Sequence, residues 1–159
     1  MKKRERGFSL IELLIVVAII LIIAAIAIPN LLRSRIAANE ASAVGSLRTV
    51  NTAEITYNTT YPTAGFACTL SAMGSPASGS TVSSSNAGLI PADLASGTKS
   101  GYTFTLSGCS GTPAVNYDVT AAPSSPGVTG QRYFCTDSSG VIKYDSTSAA
   151  NCLTNGSPI

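Results

Sequence analysis

Residues Gly7–Pro29 of this chain read GFSLIELLIVVAIILIIAAIAIP. Between Leu13 and Ile28 it contains no charged or strongly polar residue. The segment from Phe8 to Ile28 is 21 residues long, and about 20 apolar residues in a helix cross the hydrocarbon core of a membrane. We therefore expect a transmembrane helix over residues 8–29.

The positive charge of the chain is concentrated before this helix. The formal net charge is +2, from 10 basic and 8 acidic residues. Residues 1–7 hold 4 of the basic residues and 1 of the acidic ones, so the rest of the chain is near neutral. The basic character therefore belongs to a short leader and not to a nucleic-acid-binding surface. Basic residues that precede an apolar helix stay in the cytoplasm, which places the bulk of the chain on the other side of the membrane.

Three interpretations of residues 1–30 are consistent with this pattern. A secretory signal peptide needs a small-residue cleavage site, which Ala25-Ile26-Ala27 supplies, but Pro29 would then be the second residue of the mature chain. A plain membrane anchor explains the length and the orientation. Neither explains Glu12, because a carboxylate buried in a membrane helix costs roughly 2.5–3.5 kcal/mol on insertion scales.

The third interpretation gives Glu12 a role in assembly. If the chain is cut between Gly7 and Phe8, Phe8 carries a new ammonium group four residues before Glu12. Packed against Glu12 of a neighbouring copy, this ammonium group would compensate the carboxylate in a low-dielectric core. Our hypothesis is that Glu12 sets the register between copies of the chain.

The same residues resemble a known family. Gly7-Phe8-Ser9-Leu10-Ile11-Glu12-Leu13 resembles the cleavage and methylation motif of type IV prepilins and pseudopilins, and the resemblance extends to Pro29. The motif is specific, because a glycine, an aromatic residue, a single glutamate and a long apolar run must coincide. It implies that a membrane-embedded prepilin peptidase cuts after Gly7 and methylates the amine of Phe8. Gly7 and Phe8 are then recognition elements of a substrate, and the chain is not expected to be an enzyme.

This resemblance also implies a function, partners and a location. It implies a structural subunit of a type IV pilus, which polymerises with itself through the apolar helix. The implied partners are the prepilin peptidase, the pilus assembly platform with its ATPase, and the membrane, with no nucleic acid, cofactor or metal required. The chain would lie in the bacterial inner membrane before assembly and in the extracellular pilus afterwards. At Pro29 it implies local melting of the helix during assembly, for which a simple kink is the alternative.

Other functions remain open at this point. A minor pilin or a pseudopilin of a type II secretion system would share the N-terminal motif. Major pseudopilins carry a calcium loop that contains tryptophan, however, and this chain has no tryptophan. An anchored binding protein would use the segment only as an anchor. The chain has no histidine, no P-loop and no nucleophile motif, so the sequence offers no candidate catalytic set.

The pattern after Pro29 predicts an α+β fold. Apolar residues at three- and four-residue spacing, joined by Glu54, predict an amphipathic helix that ends near Tyr61-Pro62. A Ser- and Gly-rich loop is expected next. Alternating segments then predict strands at 102–106, 115–119, 132–136 and 141–145. We expect a pilin-like fold, with a long N-terminal α-helix packed on a four-stranded antiparallel β-sheet.

These predictions divide the chain into five parts. They are a leader peptide (1–7), a transmembrane and assembly helix (8–29), the amphipathic second half of that helix (30–61), an αβ-loop (62–101), and the antiparallel sheet with a C-terminal disulfide loop (102–159).

All four cysteines follow the apolar segment: Cys68, Cys109, Cys135 and Cys152. None is in C-x-x-C spacing and the chain has no histidine, which favours two disulfides in an oxidising compartment over a zinc site. Three pairings are possible. We favour Cys68–Cys109 with Cys135–Cys152, because the second pair closes a short C-terminal loop.

Overall fold

A computed structural model describes residues 8–159 of this chain. The predicted leader, residues 1–7, lies outside the described residues. The elements are α1 (Leu10–Thr60), α2 (Leu70–Met73), α3 (Ala92–Ala95), β1 (Thr98–Lys99), β2 (Tyr102–Ser107), β3 (Asp118–Pro123), β4 (Tyr133–Asp137), β5 (Ile142–Asp145), α4 (Ala149–Asn155) and β6 (Ser157–Pro158). The chain separates into two compact units, one ending at Arg35 and the other spanning Ile36–Ile159.

The described part of the first unit is the N-terminal portion of α1 and the two residues before it. Its large apolar side chains, from Leu10 to Leu32, are each 47–75% exposed. By length and composition this helix is able to cross a membrane. A helix that is apolar on all sides is stable only where lipid or other apolar helices cover it.

In the second unit, one face of α1 packs on the sheet. Its buried residues follow helical spacing, and they are Glu40, Ala43, Ser46, Leu47, Val50, Ala53, Glu54 and Tyr57. The sheet contributes Phe104, Val119 and Phe134 to the same hydrophobic cluster. Each large apolar side chain that is buried in this way stabilises the fold by about 1.5–3 kcal/mol. The predicted α+β architecture, a long helix on an antiparallel sheet, is confirmed.

The number of strands differs from the prediction. The sheet has six antiparallel strands in sequential order, β1-β2-β3-β4-β5-β6, and not four. The two additional strands, β1 and β6, are two residues each and lie at the two edges. Segments this short show no alternation of apolar and polar residues, so pairing with an existing edge creates them and no local pattern predicts them.

The second predicted strand is also displaced along the chain. It was expected at 115–119, whereas β3 spans Asp118–Pro123. Val115 is 68% exposed, and the preceding Ala114 pairs with Gly65 in a parallel bridge instead of joining the sheet. The observed strand continues through Ala121, which is fully buried. Small residues such as Ala121 carry little strand propensity, so the pattern missed the C-terminal half of β3.

The C-terminal loop contains a short helix that the sequence pattern did not indicate. Helix α4 begins after Ser148, whose side-chain oxygen accepts a hydrogen bond from the Asn151 N–H at 3.1 Å. Cys152 on α4 is joined to Cys135 on β4, with their Cα atoms 5.9 Å apart. The other disulfide joins Cys68 to Cys109, with a Cα–Cα distance of 5.7 Å.

Two valines test the displaced strand, because the predicted strand 115–119 would place Val115 and Val119 on the same face. In the structure Val119 is fully buried and Val115 is 68% exposed. We expect Val119→Ala to lower the free energy of unfolding by about 1.5–3 kcal/mol, and Val115→Ala to change it by less than about 0.5 kcal/mol. Urea denaturation of the full chain in detergent micelles measures both. Equal losses for the two variants would contradict the observed register.

Candidate processing and assembly segment

The start of α1 is organised by Ser9 and Glu12. The Ser9 N–H donates to Oε2 of Glu12 at 3.0 Å, and the Leu13 N–H donates to the Ser9 carbonyl at 3.2 Å. The side chain of Glu12 thus satisfies a backbone donor that the first turn of a helix leaves free. A carboxylate in the first turn also interacts favourably with the helix dipole. Glu12 therefore stabilises the helix start, independently of any partner.

Phe8 precedes this capped turn. It is 88% exposed, and α1 begins two residues after it, at Leu10. Gly7, on the other side of the predicted scissile bond, lies outside the described residues. A cut between Gly7 and Phe8 would therefore lie ahead of the first helical turn and would leave the whole of α1 intact.

Pro29 lies inside α1, which continues without interruption through it to Thr60. Proline has no N–H, so the carbonyl four residues earlier, that of Ala25, loses its helical donor. Five residues after Pro29, the Ser34 hydroxyl donates to the Asn30 carbonyl at 3.0 Å. The helix therefore has one backbone hydrogen bond fewer at Pro29, and local melting at this point remains a prediction.

Sequence reasoning missed Glu40, which joins α1 to the β3–β4 loop. Its Oε1 accepts hydrogen bonds from the Gln131 and Arg132 N–H groups at 2.9 and 3.2 Å, and its Oε2 accepts one from Arg132 Nε at 2.9 Å. Burial is the largest single influence on the pKa of Glu40 and raises it. The hydrogen bonds from Gln131 and Arg132, with the charge of Arg132, outweigh burial and hold the pKa below its ordinary value.

For Glu54, in contrast to Glu40, burial outweighs hydrogen bonding. Its side chain is fully buried, and Oε2 accepts a single hydrogen bond from the Ala67 N–H at 2.8 Å. Oε1 has no hydrogen-bond partner among the described residues. Burial therefore raises the pKa of Glu54 to about 7, although the bond from Ala67 acts to lower it. Tyr57 and Tyr117 are the titratable groups close to Glu54, and burial followed by the charge of Glu54 raises the pKa of both.

The helical spacing did place Glu54 on the buried face, together with Leu47 and Val50. It could not identify what Glu54 meets, since Ala67 belongs to an irregular loop. For Glu40 the partners lie more than 90 residues away along the chain. No local pattern connects such distant segments.

The aspartates of the C-terminal region stabilise turns. Asp137 pairs with Lys143 at 3.2 Å and accepts the Ser139 N–H at 2.9 Å. Asp145 accepts hydrogen bonds from the Ser148 N–H and from Asn151 Nδ2 at 3.0 and 2.6 Å. Within residues 8–159, no three side chains of metal-ligating type come together.

The titration of Glu54 predicts a specific pH dependence of stability. The pKa of Glu54 in the folded state is about 7, above its ordinary value of 4.5. The contribution of Glu54 to the free energy of unfolding is therefore largest below about pH 4.5 and is lost as the pH rises through 7. At about 1.4 kcal/mol per pKa unit, the free energy of unfolding should fall by up to roughly 3 kcal/mol between pH 5 and 8. Glu54→Gln should remove this fall, because the amide stays neutral and still accepts the Ala67 N–H.

Urea denaturation at several pH values measures the effect, and Glu40→Gln is the matched control. Since the pKa of Glu40 is already low, this variant should retain the fall between pH 5 and 8. The chain has no histidine to obscure the measurement. If the free energy of unfolding of Glu54→Gln still falls between pH 5 and 8, another titrating group causes the fall.

This N-terminal segment is similar to segments of known proteins. The prokaryotic N-terminal methylation motif family matches residues 2–28. The type IV major pilin protein PilA of Myxococcus xanthus is 51% identical over 51 residues, which are 32% of this chain and 23% of that protein. The type IV wide pilus major component PilA4 of Thermus thermophilus is 60% identical over 38 residues, which are 24% of this chain and 29% of that protein. The chain thus spans about a quarter of the length of these curated relatives.

No solved structure matches the chain significantly. The specific motif at residues 2–28 and the two relatives confirm the resemblance that the residues from Gly7 to Pro29 suggested. The chain therefore carries the prokaryotic N-terminal methylation motif, and its N-terminal segment is similar to parts of two type IV pilus major components.

Proposed function

We propose that this chain is a prepilin, the structural subunit of a type IV pilus, which polymerises through the apolar portion of α1. One observation carries the proposal. The methylation motif at residues 2–28 includes most of a helical portion whose large apolar side chains, from Leu10 to Leu32, are 47–75% exposed. Such a surface requires lipid before assembly and neighbouring helices afterwards. In this function the chain is a substrate of processing and not an enzyme.

Processing would begin at the Gly7–Phe8 bond. A prepilin peptidase hydrolyses this bond on the cytoplasmic side of the membrane and methylates the new amine of Phe8. The exposure of Phe8 and the start of α1 at Leu10 support this order of events, because the cut removes the basic leader and leaves the membrane helix complete.

Glu12 would then act between subunits. Its carboxylate already accepts the Ser9 N–H of its own chain, and a carboxylate has several lone pairs, so it is able to accept an ammonium group at the same time. The Phe8 ammonium of a neighbouring subunit supplies that group. A buried charge without a partner is costly, so only the register that pairs the two charges is favoured.

Assembly would transfer the helix from one apolar environment to another. An ATPase-driven platform extracts the subunit from the inner membrane, and melting near Pro29 adjusts the length of the helix in the filament. Packing about 20 apolar side chains against neighbouring helices offsets the cost of leaving lipid, at roughly 1.5 kcal/mol or more for each side chain. The disulfides of the second unit form in an oxidising compartment, which fits an extracellular filament.

The mass of the processed protein tests this proposal. In filaments sheared from the cell surface, we expect a subunit that lacks residues 1–7, carries one methyl group, and has lost four hydrogens to two disulfides. Intact-mass spectrometry measures all three changes. The same processed mass in the cell envelope, without surface filaments, would indicate a pseudopilin or a minor subunit. A chain that retains residues 1–7 would contradict the proposal.

The role of Glu12 is tested separately. Glu12→Gln keeps the shape and the helix-start hydrogen bond but removes the charge, so we expect cleavage to continue while surface filaments fall by at least about tenfold, since unpaired buried charges cost several kcal/mol. Quantified shearing followed by immunoblotting measures the loss. Glu40→Gln, which lies outside the apolar segment, is the control. Unchanged filament yield in Glu12→Gln would exclude charge pairing as the source of register.

A further inference from the structure

The two disulfides differ in their exposure to solvent. Cys135 and Cys152 are both fully buried, whereas Cys68 is exposed and Cys109 is half-buried. Thiol–disulfide exchange requires a thiolate to reach one sulfur atom of the bond. In the folded protein, a soluble thiol is therefore able to attack Cys68–Cys109 but not Cys135–Cys152.

The exposed disulfide closes one end of a short segment, residues 65–68, which we call the latch segment. Its Phe66 N–H donates to the Ala114 carbonyl at 3.0 Å, and its Ala67 N–H donates to Glu54 at 2.8 Å. Gly65 permits this approach, because it has a φ of +80° and a Cβ there would collide with the backbone of Ala114. The latch segment thus lies between α1 and the β2–β3 connection, residues 108–117.

The latch segment keeps water away from Glu54. Ala67 is fully buried, and the Cys109 Sγ lies 3.5 Å from the Ala67 carbonyl oxygen. Tyr57 on α1 and Tyr117 in the β2–β3 connection are the titratable groups near this carboxyl, and the latch segment itself adds none while the disulfide is formed. If the latch segment moved away, the Glu54 carboxyl would be hydrated and would ionise at its ordinary pH.

We propose that Cys68–Cys109 is a redox-sensitive latch, which a dithiol reductant opens to release residues 65–68 and hydrate Glu54 while the sheet stays folded. One thiolate of the reductant attacks a sulfur of the disulfide and forms a mixed disulfide. This first attack releases one cysteine as a thiolate. The second thiol of the reductant then attacks the mixed disulfide and releases the other cysteine, and both thiolates take up a proton. The protein gains two thiols, and the reductant becomes a cyclic disulfide, so two electrons and two protons are transferred. A small disulfide acting as oxidant reverses the step.

The sheet remains folded because the backbone pairing of its strands does not involve the latch segment. Strands β2 and β3 are paired along their whole lengths, from Tyr102↔Pro123 to Ser107↔Asp118. The buried Cys135–Cys152 bond secures β4 to α4. The latch segment by contrast is held by three hydrogen bonds, from Gly65 to Tyr61, from Phe66 to Ala114 and from Ala67 to Glu54, and by the contact of the Phe66 ring with Tyr117. Segments held by few hydrogen bonds open locally without global unfolding.

Timed reduction distinguishes the two disulfides. The full chain in detergent micelles is treated with dithiothreitol at about pH 8, where a thiol is partly ionised, and the reaction is quenched with iodoacetamide. Peptide mass spectrometry should find label on Cys68 and Cys109 at least about tenfold faster than on Cys135 and Cys152. Equal rates, or faster labelling of the buried pair, would overturn the proposal.

Amide hydrogen exchange tests the opening itself. On reduction, exchange at residues 66–68 should rise at least about tenfold, while residues 119–121 of β3 keep their protection. The double variant Cys68→Ser with Cys109→Ser should reproduce this pattern without reductant. In reduced protein, Glu54→Gln should show less opening above pH 7 than the unsubstituted chain, because glutamine gains nothing from ionisation.

Unchanged exchange at 66–68, or loss of protection across β3, would each overturn the latch. The inference concerns the second unit alone and uses no filament. Its failure would leave the proposed pilus function untouched, and failure of that function would leave the latch to be judged on these measurements.

Discussion

The apolar surface of α1 is the constraint on which the rest of the molecule depends. From Leu10 to Leu32 its large side chains are exposed on every side, and water is an unfavourable environment for such a surface. Further along the same helix, only one face is apolar, and the sheet covers it. The change from an all-round apolar helix to an amphipathic one separates the portion that needs lipid or other apolar helices around it from the portion that builds a core.

Three glutamates on α1 show how environment gives one residue type different properties. Glu12 accepts a backbone N–H of its own first turn, and Glu40 is held ionised by Arg132 and two loop amides. Glu54 is buried with one hydrogen bond and retains its proton to about pH 7. The difference between Glu40 and Glu54 follows from the number of donors that each carboxylate meets, because burial disfavours the charge and hydrogen bonds favour it.

The latch segment and the displaced strand have a common cause. Because Ala114 pairs with Gly65 rather than with the sheet, the chain from 108 to 117 leaves the sheet to hold the αβ-loop against the helix. The strand that alternation predicted at 115–119 therefore begins later, at Asp118. This rearrangement places Ala67 over Glu54 and leaves Cys68 at the surface. An exposed disulfide and a buried carboxyl thus become neighbours because Ala114 pairs with Gly65.

Local sequence patterns were sufficient to predict the apolar N-terminal helix, the motif at Gly7, Phe8 and Glu12, the helical face from Ala43 to Tyr57, and the general positions of the longer strands. These follow from composition, spacing and periodicity, which are local properties of the chain. The two edge strands, the start of β3, the pairing of the cysteines, and the partners of Glu40 and Glu54 could be identified only in the folded chain. Each of these depends on contacts between segments far apart in sequence, and such contacts are set by the packing of the whole core and not by any local pattern.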